Sequence, residues 1–135
     1  MSIVIDASVA LKWVFDEPGT EAAITLLAEE LVAPELWLAE AATALWRHVR
    51  LGEVSVAEAV VRIEELRNAP VASMSVEPYV RRALQFGTML DHPVYDCLYL
   101  ALAEHCDTYV ITDDSRFFTA ANAAGLERRI RLLRA

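Results

Sequence analysis

The chain has little glycine and no long uninterrupted hydrophobic run. Only 4 of its 135 residues are glycine, and it contains no P-loop, dinucleotide-binding glycine fingerprint or nucleophile elbow. These absences exclude the commonest nucleotide-binding and hydrolase sites of α/β proteins. Charged residues interrupt every apolar stretch before it reaches the roughly 18 to 20 residues that span a bilayer. The first six residues lack the basic segment of a signal peptide, so we expect a cytoplasmic protein with no membrane partner.

Cysteine and positive charge are also scarce. The two cysteines, Cys97 and Cys106, lie on one predicted helix about half a turn out of phase. We therefore expect buried free thiols, and two thiols alone do not make a typical zinc site. The formal net charge is −8, which argues against a broad basic surface for nucleic acid. A nuclease stays possible, because an acidic pocket that binds a divalent ion presents a different local field.

Hydrophobic residues are abundant, at 56% of the chain with a mean hydropathy of +0.31. Such a composition fits a parallel sheet covered on both faces, or a subunit that buries further surface against a partner. Short β-branched runs alternate with helical patterns along the whole chain. The pattern predicts an α/β fold, as a single three-layer domain over residues 1–135 with a mostly parallel central sheet flanked by helices. Predicted strands lie at 2–5, 31–33, 71–76 and 109–112, with a last strand or extended tail at 128–133. Predicted helices lie at 9–15, 20–31, 35–51, 77–90, 95–106 and 115–124. A further helix, capped by Ser55 with apolar positions from Val56 to Leu66, is predicted to form a helical hairpin with the 35–51 helix.

Five acidic residues stand at the ends of strands or inside apolar helices: Asp6, Glu40, Asp96, Asp113 and Asp114. The helix that contains Glu40 is apolar almost all round, which predicts burial on several sides. In parallel α/β folds, ligands bind at the carboxyl ends of the strands, where three of the five lie. No matching buried lysine or arginine is apparent in these segments. Carboxylates that lie close together raise one another's pKa unless a cation neutralises them, so we expect a divalent metal.

Each acidic residue also has a purely structural interpretation. Asp6 or Ser8 could cap the helix that follows the first strand. Glu40 could form a salt bridge with Arg47, two turns further along the same helix. His92, four residues before Asp96, could shuttle protons, bind metal or do neither. The arginines on the outer face of the predicted helical hairpin could contact RNA or a protein partner, or could simply be solvated: Arg47, Arg50, Arg62 and Arg67.

Oxygen ligands favour hard ions, which points to Mg²⁺ or Mn²⁺ rather than Zn²⁺. Acidic clusters that hold such ions support phosphodiester hydrolysis, because the ion activates water and stabilises the charged transition state. This chemistry needs no serine, histidine or cysteine nucleophile.

Four stretches together resemble a PIN domain, and more specifically a VapC-type toxin of bacterial toxin–antitoxin pairs. They are Ile3-Val4-Ile5-Asp6-Ala7-Ser8, Pro34 with Glu40, the block from Tyr95 to Ala103, and Ile111-Thr112-Asp113-Asp114. The resemblance implies a metal-dependent endoribonuclease that works as a homodimer on RNA and is inhibited by a cognate antitoxin protein. Its implied catalytic and metal-binding residues are Asp6, Glu40, Asp96 and Asp114, supported by Ser8 and Thr112 through hydrogen bonds. Asp113 is implied as a helix cap or an outer group of the site.

Other classes fit the sequence less well. A phosphatase of the haloacid dehalogenase type needs a second aspartate two residues after the first, where this chain has Ser8. A receiver domain needs a late lysine, and no lysine follows Lys12. The remaining alternative is a catalytically inactive PIN-like subunit that binds RNA or protein.

Overall fold

The computed structural model describes residues 1–134; Ala135, the last residue of the predicted domain, lies outside the described residues. The centre of the fold is a five-stranded sheet with the order β3-β2-β1-β4-β5. Every pairing in it is parallel, which confirms the predicted parallel sheet. The strands are β1 (Ile3–Ile5), β2 (Leu31–Pro34), β3 (Val71–Met74), β4 (Val110–Thr112) and β5 (Ile130–Leu132).

Seven α-helices of the described residues flank this sheet and complete the predicted three-layer α/β fold. They are α1 (Ala7–Ala10), α2 (Thr20–Thr25), α3 (Trp37–Arg50), α4 (Val56–Arg67), α5 (Val80–Leu90), α6 (Val94–His105) and α7 (Ser115–Ala123). Helix α6 packs against β1, β2 and β4, and α5 packs on α6. In the described part of the chain, no helix combines the length and apolar character that crossing a membrane requires.

Helix α6 is the central helix of the core. Its seven consecutive residues 97–103 are all buried, which explains why this stretch carries apolar residues on every side. Tyr99, Leu100 and Leu102 are each fully buried there. The helix thus forms a rigid support that holds its first turn, with Asp96, at the carboxyl edge of the sheet.

Two predicted helices have different bounds in the structure. The first, predicted at 9–15, is α1 (Ala7–Ala10) followed by a turn of 3-10 helix at Leu11–Trp13; the second also has a different cap. Helix α2 ends at Thr25 and continues as one turn of 3-10 helix to Ala28, before the predicted end at Leu31. Gly19, in the left-handed region at φ 94°, forms its N-cap. The Thr20 hydroxyl instead accepts from the Glu17 N–H and donates to the carbonyl of Phe15, so it bonds the preceding turn and not the helix.

The prediction that α3 is buried on several sides is wrong. Only Trp37, Ala41 and Leu45 of this helix are buried, while Trp46 is 53% exposed. Helix α4 is its main neighbour, followed by α1, and these contacts leave Trp46 exposed on a groove that α3 shares with α4.

The two cysteines are free thiols in the structure, as predicted, but only Cys97 is buried while Cys106 is half-buried. Burial raises the pKa of Cys97 to about 11. A thiol with so high a pKa is not a nucleophile at neutral pH, so Cys97 serves packing.

Candidate metal centre

The sheet order places β1 and β4 side by side at its centre. From β1 the chain builds β2 and β3 on one side, and β4 and β5 follow on the other. The carboxyl edge between β1 and β4 is therefore the point at which the strand order reverses, where ligands bind in open α/β sheets. Asp6 directly follows β1, and Asp113 and Asp114 directly follow β4.

Asp6 is the most deeply buried of the acidic residues, at 8% exposure. Its carboxylate accepts hydrogen bonds from the Ser8 hydroxyl at 2.5 Å and from the Val9 backbone N–H at 3.3 Å. Burial raises the pKa of Asp6 to about 6, against the opposing effect of Ser8, Thr112 and Val9. Asp6 is thus the N-cap of α1, whereas Ser8 does not cap this helix and instead donates to the Asp6 carboxylate.

Asp96, Asp114 and His92 lie close together. One potential ligand atom from each lies within 4.8 Å of the other two. The His92 Nε2 atom is 2.7 Å from Asp96 Oδ2, and its ring stacks on buried Phe117 with centroids 4.9 Å apart. Burial raises the pKa of Asp96, and Asp114 raises it further, while His92 lowers it. His92, whose role the sequence left open, therefore belongs to the same cluster.

Glu40, on α3, is not one of the three residues whose ligand atoms lie within 4.8 Å of one another, and it is held near them by a buried tyrosine. The Tyr99 hydroxyl donates to Glu40 Oε1 at 2.9 Å. Burial raises the pKa of Glu40 to about 7, with contributions from Asp96 and Asp6. Among residues 1–134 the carboxylate has no salt bridge to Arg47, so the structure does not support that alternative.

The paired aspartates after β4 have different surroundings. Asp114 accepts hydrogen bonds from the Arg116 and Phe117 N–H groups and caps α7, while its own N–H donates to the Thr112 hydroxyl at 3.0 Å. Asp113 does not cap this helix. Its carboxylate lies 3.1 Å from Lys12 Nζ.

Lys12 corrects the expectation that no buried cation accompanies the acidic residues. This lysine is only 4% exposed. Its Nζ atom also contacts Glu17 Oε1 at 3.0 Å and the Pro18 carbonyl at 2.7 Å. Burial lowers the pKa of Lys12, but its contacts with Glu17 and Asp113 outweigh that effect and raise it. The lysine neutralises Asp113, whereas no lysine or arginine of the described residues forms a salt bridge with Asp6, Glu40, Asp96 or Asp114.

These donors fit a hard divalent ion. Asp96 and Asp114 provide oxygen ligands on one side, and Asp6 and Glu40 are near enough to Asp96 for their charges to interact. Carboxylates suit Mg²⁺ and Mn²⁺, and an imidazole such as that of His92 is tolerated better by Mn²⁺ than by Mg²⁺.

Sequence reasoning missed the roles of Tyr99 and Lys12. Tyr99 belongs to the block from Tyr95 to Ala103. Only its position on α6 could have indicated that its hydroxyl meets a residue of another helix. Lys12, the one lysine of the chain, lies in an otherwise apolar segment, and that isolation was the available signal for burial.

The chain is similar to known proteins over most of its length. The PIN domain family model matches residues 3–123. Ribonuclease VapC1 of Mycobacterium tuberculosis is 32% identical over 135 residues, covering 97% of this chain and 97% of that protein. Ribonuclease VapC12 of the same organism is 32% identical over 115 residues, covering 84% and 88% respectively. The crystal structure of PAE2754 from Pyrobaculum aerophilum shares the fold, with a TM-score of 0.74 at 20% identity over 96% of this chain and 83% of that one. The chain therefore belongs to the PIN-domain family, among its VapC-type members.

Proposed function

We propose that this protein is a metal-dependent endoribonuclease of the VapC type that hydrolyses RNA phosphodiester bonds. The observation that carries the proposal is the meeting of carboxylates that follow β1 and β4 and begin α6 at the central edge of the sheet. No lysine or arginine of the described residues forms a salt bridge with them. The M. tuberculosis relatives named as ribonucleases support the same activity. RNA as the substrate also makes the cytoplasm the proposed location.

The proposed ligands are Asp6, Asp96 and Asp114, with Glu40 completing the acidic set. A bound Mg²⁺ or Mn²⁺ ion would supply an activated water and stabilise the charge that develops on the phosphate. The surrounding residues position these ligands. Ser8 orients Asp6, and Tyr99 occupies one oxygen of Glu40 and leaves the other free.

The Thr112 hydroxyl fixes the backbone of Asp114. Asp113 has a different proposed role, because its salt bridge with Lys12 removes it from the ligand set. Asp113 connects the site, through Lys12, to the loop that contains Glu17, and it is an outer group of the site that does not bind the metal. Its N–H also donates to the Ser8 hydroxyl at 2.9 Å, so Ser8 links the two sides of the site.

A cognate antitoxin and a homodimer complete the proposal. The antitoxin follows from the VapC relatives, and the homodimer from the resemblance to VapC-type toxins. Helices α3 and α4 provide surface that such an association would bury, because Trp46, Val56 and Val60 are 53%, 66% and 54% exposed around an apolar groove of about 260 Å³. Light scattering of the purified protein tests the dimer directly, and a monomer at micromolar concentration would remove it from the proposal.

The test of activity is cleavage of a mixed RNA substrate by the purified protein with Mg²⁺, with Mn²⁺ and with EDTA. Wild-type protein should cut only with metal, and Asp6→Asn should not cut. Asp16→Asn is the matched control, because it removes the same charge from an exposed residue outside the cluster and should leave cleavage unchanged. Folded, antitoxin-free protein that cuts with neither metal would refute the nuclease and leave the binding subunit as the function.

A further inference from the structure

A cavity of about 510 Å³ opens beside the candidate metal centre. Its volume lies within the roughly 300–1,000 Å³ range of small-ligand pockets, so it can take one nucleotide unit. It lies beside the acidic residues of the site, because Glu40 lines it and is near enough to Asp96 and Asp6 for their charges to interact. The lining residues are Leu36, Ala39, Glu40, Thr43, Arg47 and Tyr95.

Tyr95 gives the cavity an exposed aromatic wall. This residue lies in the first turn of α6, one position before Asp96, and is 70% exposed although the helix beyond it is buried. Unpaired bases stack on aromatic rings of this kind, and such stacking accepts any base because every base has a π-face. Leu36 and Ala39 contribute apolar surface to the same cavity.

Arg47 gives the cavity a cation. Three other arginines of helices α3 and α4 already have partners. Arg50 lies over the Trp46 ring at 4.9 Å, Arg62 is 3.7 Å from Glu58, and Arg67 is 3.0 Å from Glu64. Arg47 is exposed, and within residues 1–134 it has neither a salt bridge nor a cation–π contact.

The charge of Arg47 matters because of its surroundings. A chain with a net charge of −8 repels a polyanion, and Glu40 adds a carboxylate within the cavity itself. A phosphate placed there needs a local positive partner, and a guanidinium can bind phosphate oxygens through two hydrogen bonds at once.

We propose that this cavity is an RNA subsite for one unpaired nucleotide beside the scissile bond, with its base stacked on Tyr95 and its phosphate paired with Arg47. The inference rests on the proposed nuclease function and assigns one nucleotide of its RNA substrate to Tyr95 and Arg47. A base inside a duplex is already stacked between its neighbours and cannot lie flat on Tyr95.

Binding is measured by fluorescence anisotropy of a short labelled single-stranded RNA in the Asp6→Asn background, so that cleavage does not interfere. Tyr95→Leu should raise the Kd at least about fivefold, whereas Tyr95→Phe, which keeps the ring, should stay within about twofold. The same RNA annealed to its complement should bind equally to both variants. Because Tyr95 is largely exposed, both variants should retain the fold.

Arg47→Gln should raise the Kd and also reduce the slope of log Kd against log salt by about 0.7, the contribution of one phosphate contact to a single strand. Arg67→Gln is the matched control, since it removes the same charge from an arginine paired with Glu64, and it should leave the slope unchanged.

Equal affinities of Tyr95→Leu and Tyr95→Phe, or RNA that binds none of the variants, would overturn the subsite. Metal-dependent cleavage by the wild type would still stand in the first case, so the proposed nuclease would survive. Tyr95-dependent RNA binding without cleavage under any metal would instead refute the nuclease and support the subsite.

Discussion

Replacing Asp6 by asparagine should stabilise the metal-free protein while it destroys the proposed activity. Asp6 is 8% exposed, and burial raises its pKa from 3.8 to about 6. At 1.36 kcal/mol per pKa unit, keeping this carboxylate ionised in the folded state costs about 3 kcal/mol at pH 8. The amide oxygen that the substitution introduces can still accept the hydrogen bonds from Ser8 and Val9, so the variant loses the charge and keeps the geometry.

The pH dependence follows from the direction of the shift. The folded protein binds the Asp6 proton more tightly than the unfolded chain does, so lowering the pH from 8 through 6 stabilises the wild type, until the unfolded chain also takes up the proton near 3.8. At pH 5 the folded wild type is mostly protonated at Asp6. The variant should therefore be more stable by about 1–3 kcal/mol at pH 8 and by about half that amount at pH 5, because the unfolded chain is still ionised there; the difference vanishes only below the unfolded pKa of 3.8.

Urea unfolding in EDTA at both pH values measures these free energies. Asp16→Asn, an exposed change, should show no pH-dependent difference of this kind. Added Mn²⁺ should stabilise the wild type more than the variant, because only binding to the folded state adds stability. A variant that is less stable than the wild type at pH 8, or equally stabilised at pH 5 and pH 8, would refute the assignment of Asp6 as a buried and unneutralised charge.

Three further substitutions test the supports of the site. Tyr99→Phe removes the hydrogen bond to Glu40 and should lower kcat/KM for metal-dependent cleavage by about 10- to 100-fold; unchanged kinetics would show that Tyr99 does not position Glu40. Lys12→Met should lower the free energy of unfolding, measured in urea, by about 1–3 kcal/mol. The loss is smaller than for a fully buried ion pair, because Glu17 and Asp113 are 41% and 42% exposed and water can hydrate them once the lysine is gone. A variant more stable than the wild type would contradict a stabilising role of Lys12. Phe117→Ala should lower the free energy of unfolding by about 3–5 kcal/mol, since this ring is 1% exposed and stacks beneath His92. A loss below about 1 kcal/mol would show that the ring is not packed in this way.

The sequence by itself determined the alternation of strands and helices, the parallel sheet and the places where acidic residues follow strands. These features depend on local periodicity and on a general rule, that the carboxyl ends of parallel strands share one edge of the sheet. Asp6 and Asp114 could therefore be assigned to one site before any coordinates, although they lie far apart in the chain. The resemblance of the Tyr95–Ala103 block to PIN domains added Asp96 to this predicted site.

Only the tertiary structure decided how these side chains pair. The Tyr99–Glu40 hydrogen bond joins residues 59 positions apart, and a helical register cannot say which neighbour a buried hydroxyl meets. Lys12 and Asp113 lie far apart in the chain and pair only in the folded structure, and Gly19 packs so closely over the lysine that an added Cβ would come within 3.2 Å of its side-chain carbons. The exposed face of α3 could not be predicted from the sequence either. Apolar composition sets how much surface a helix can bury, whereas the number of elements packed on it sets how much it does bury.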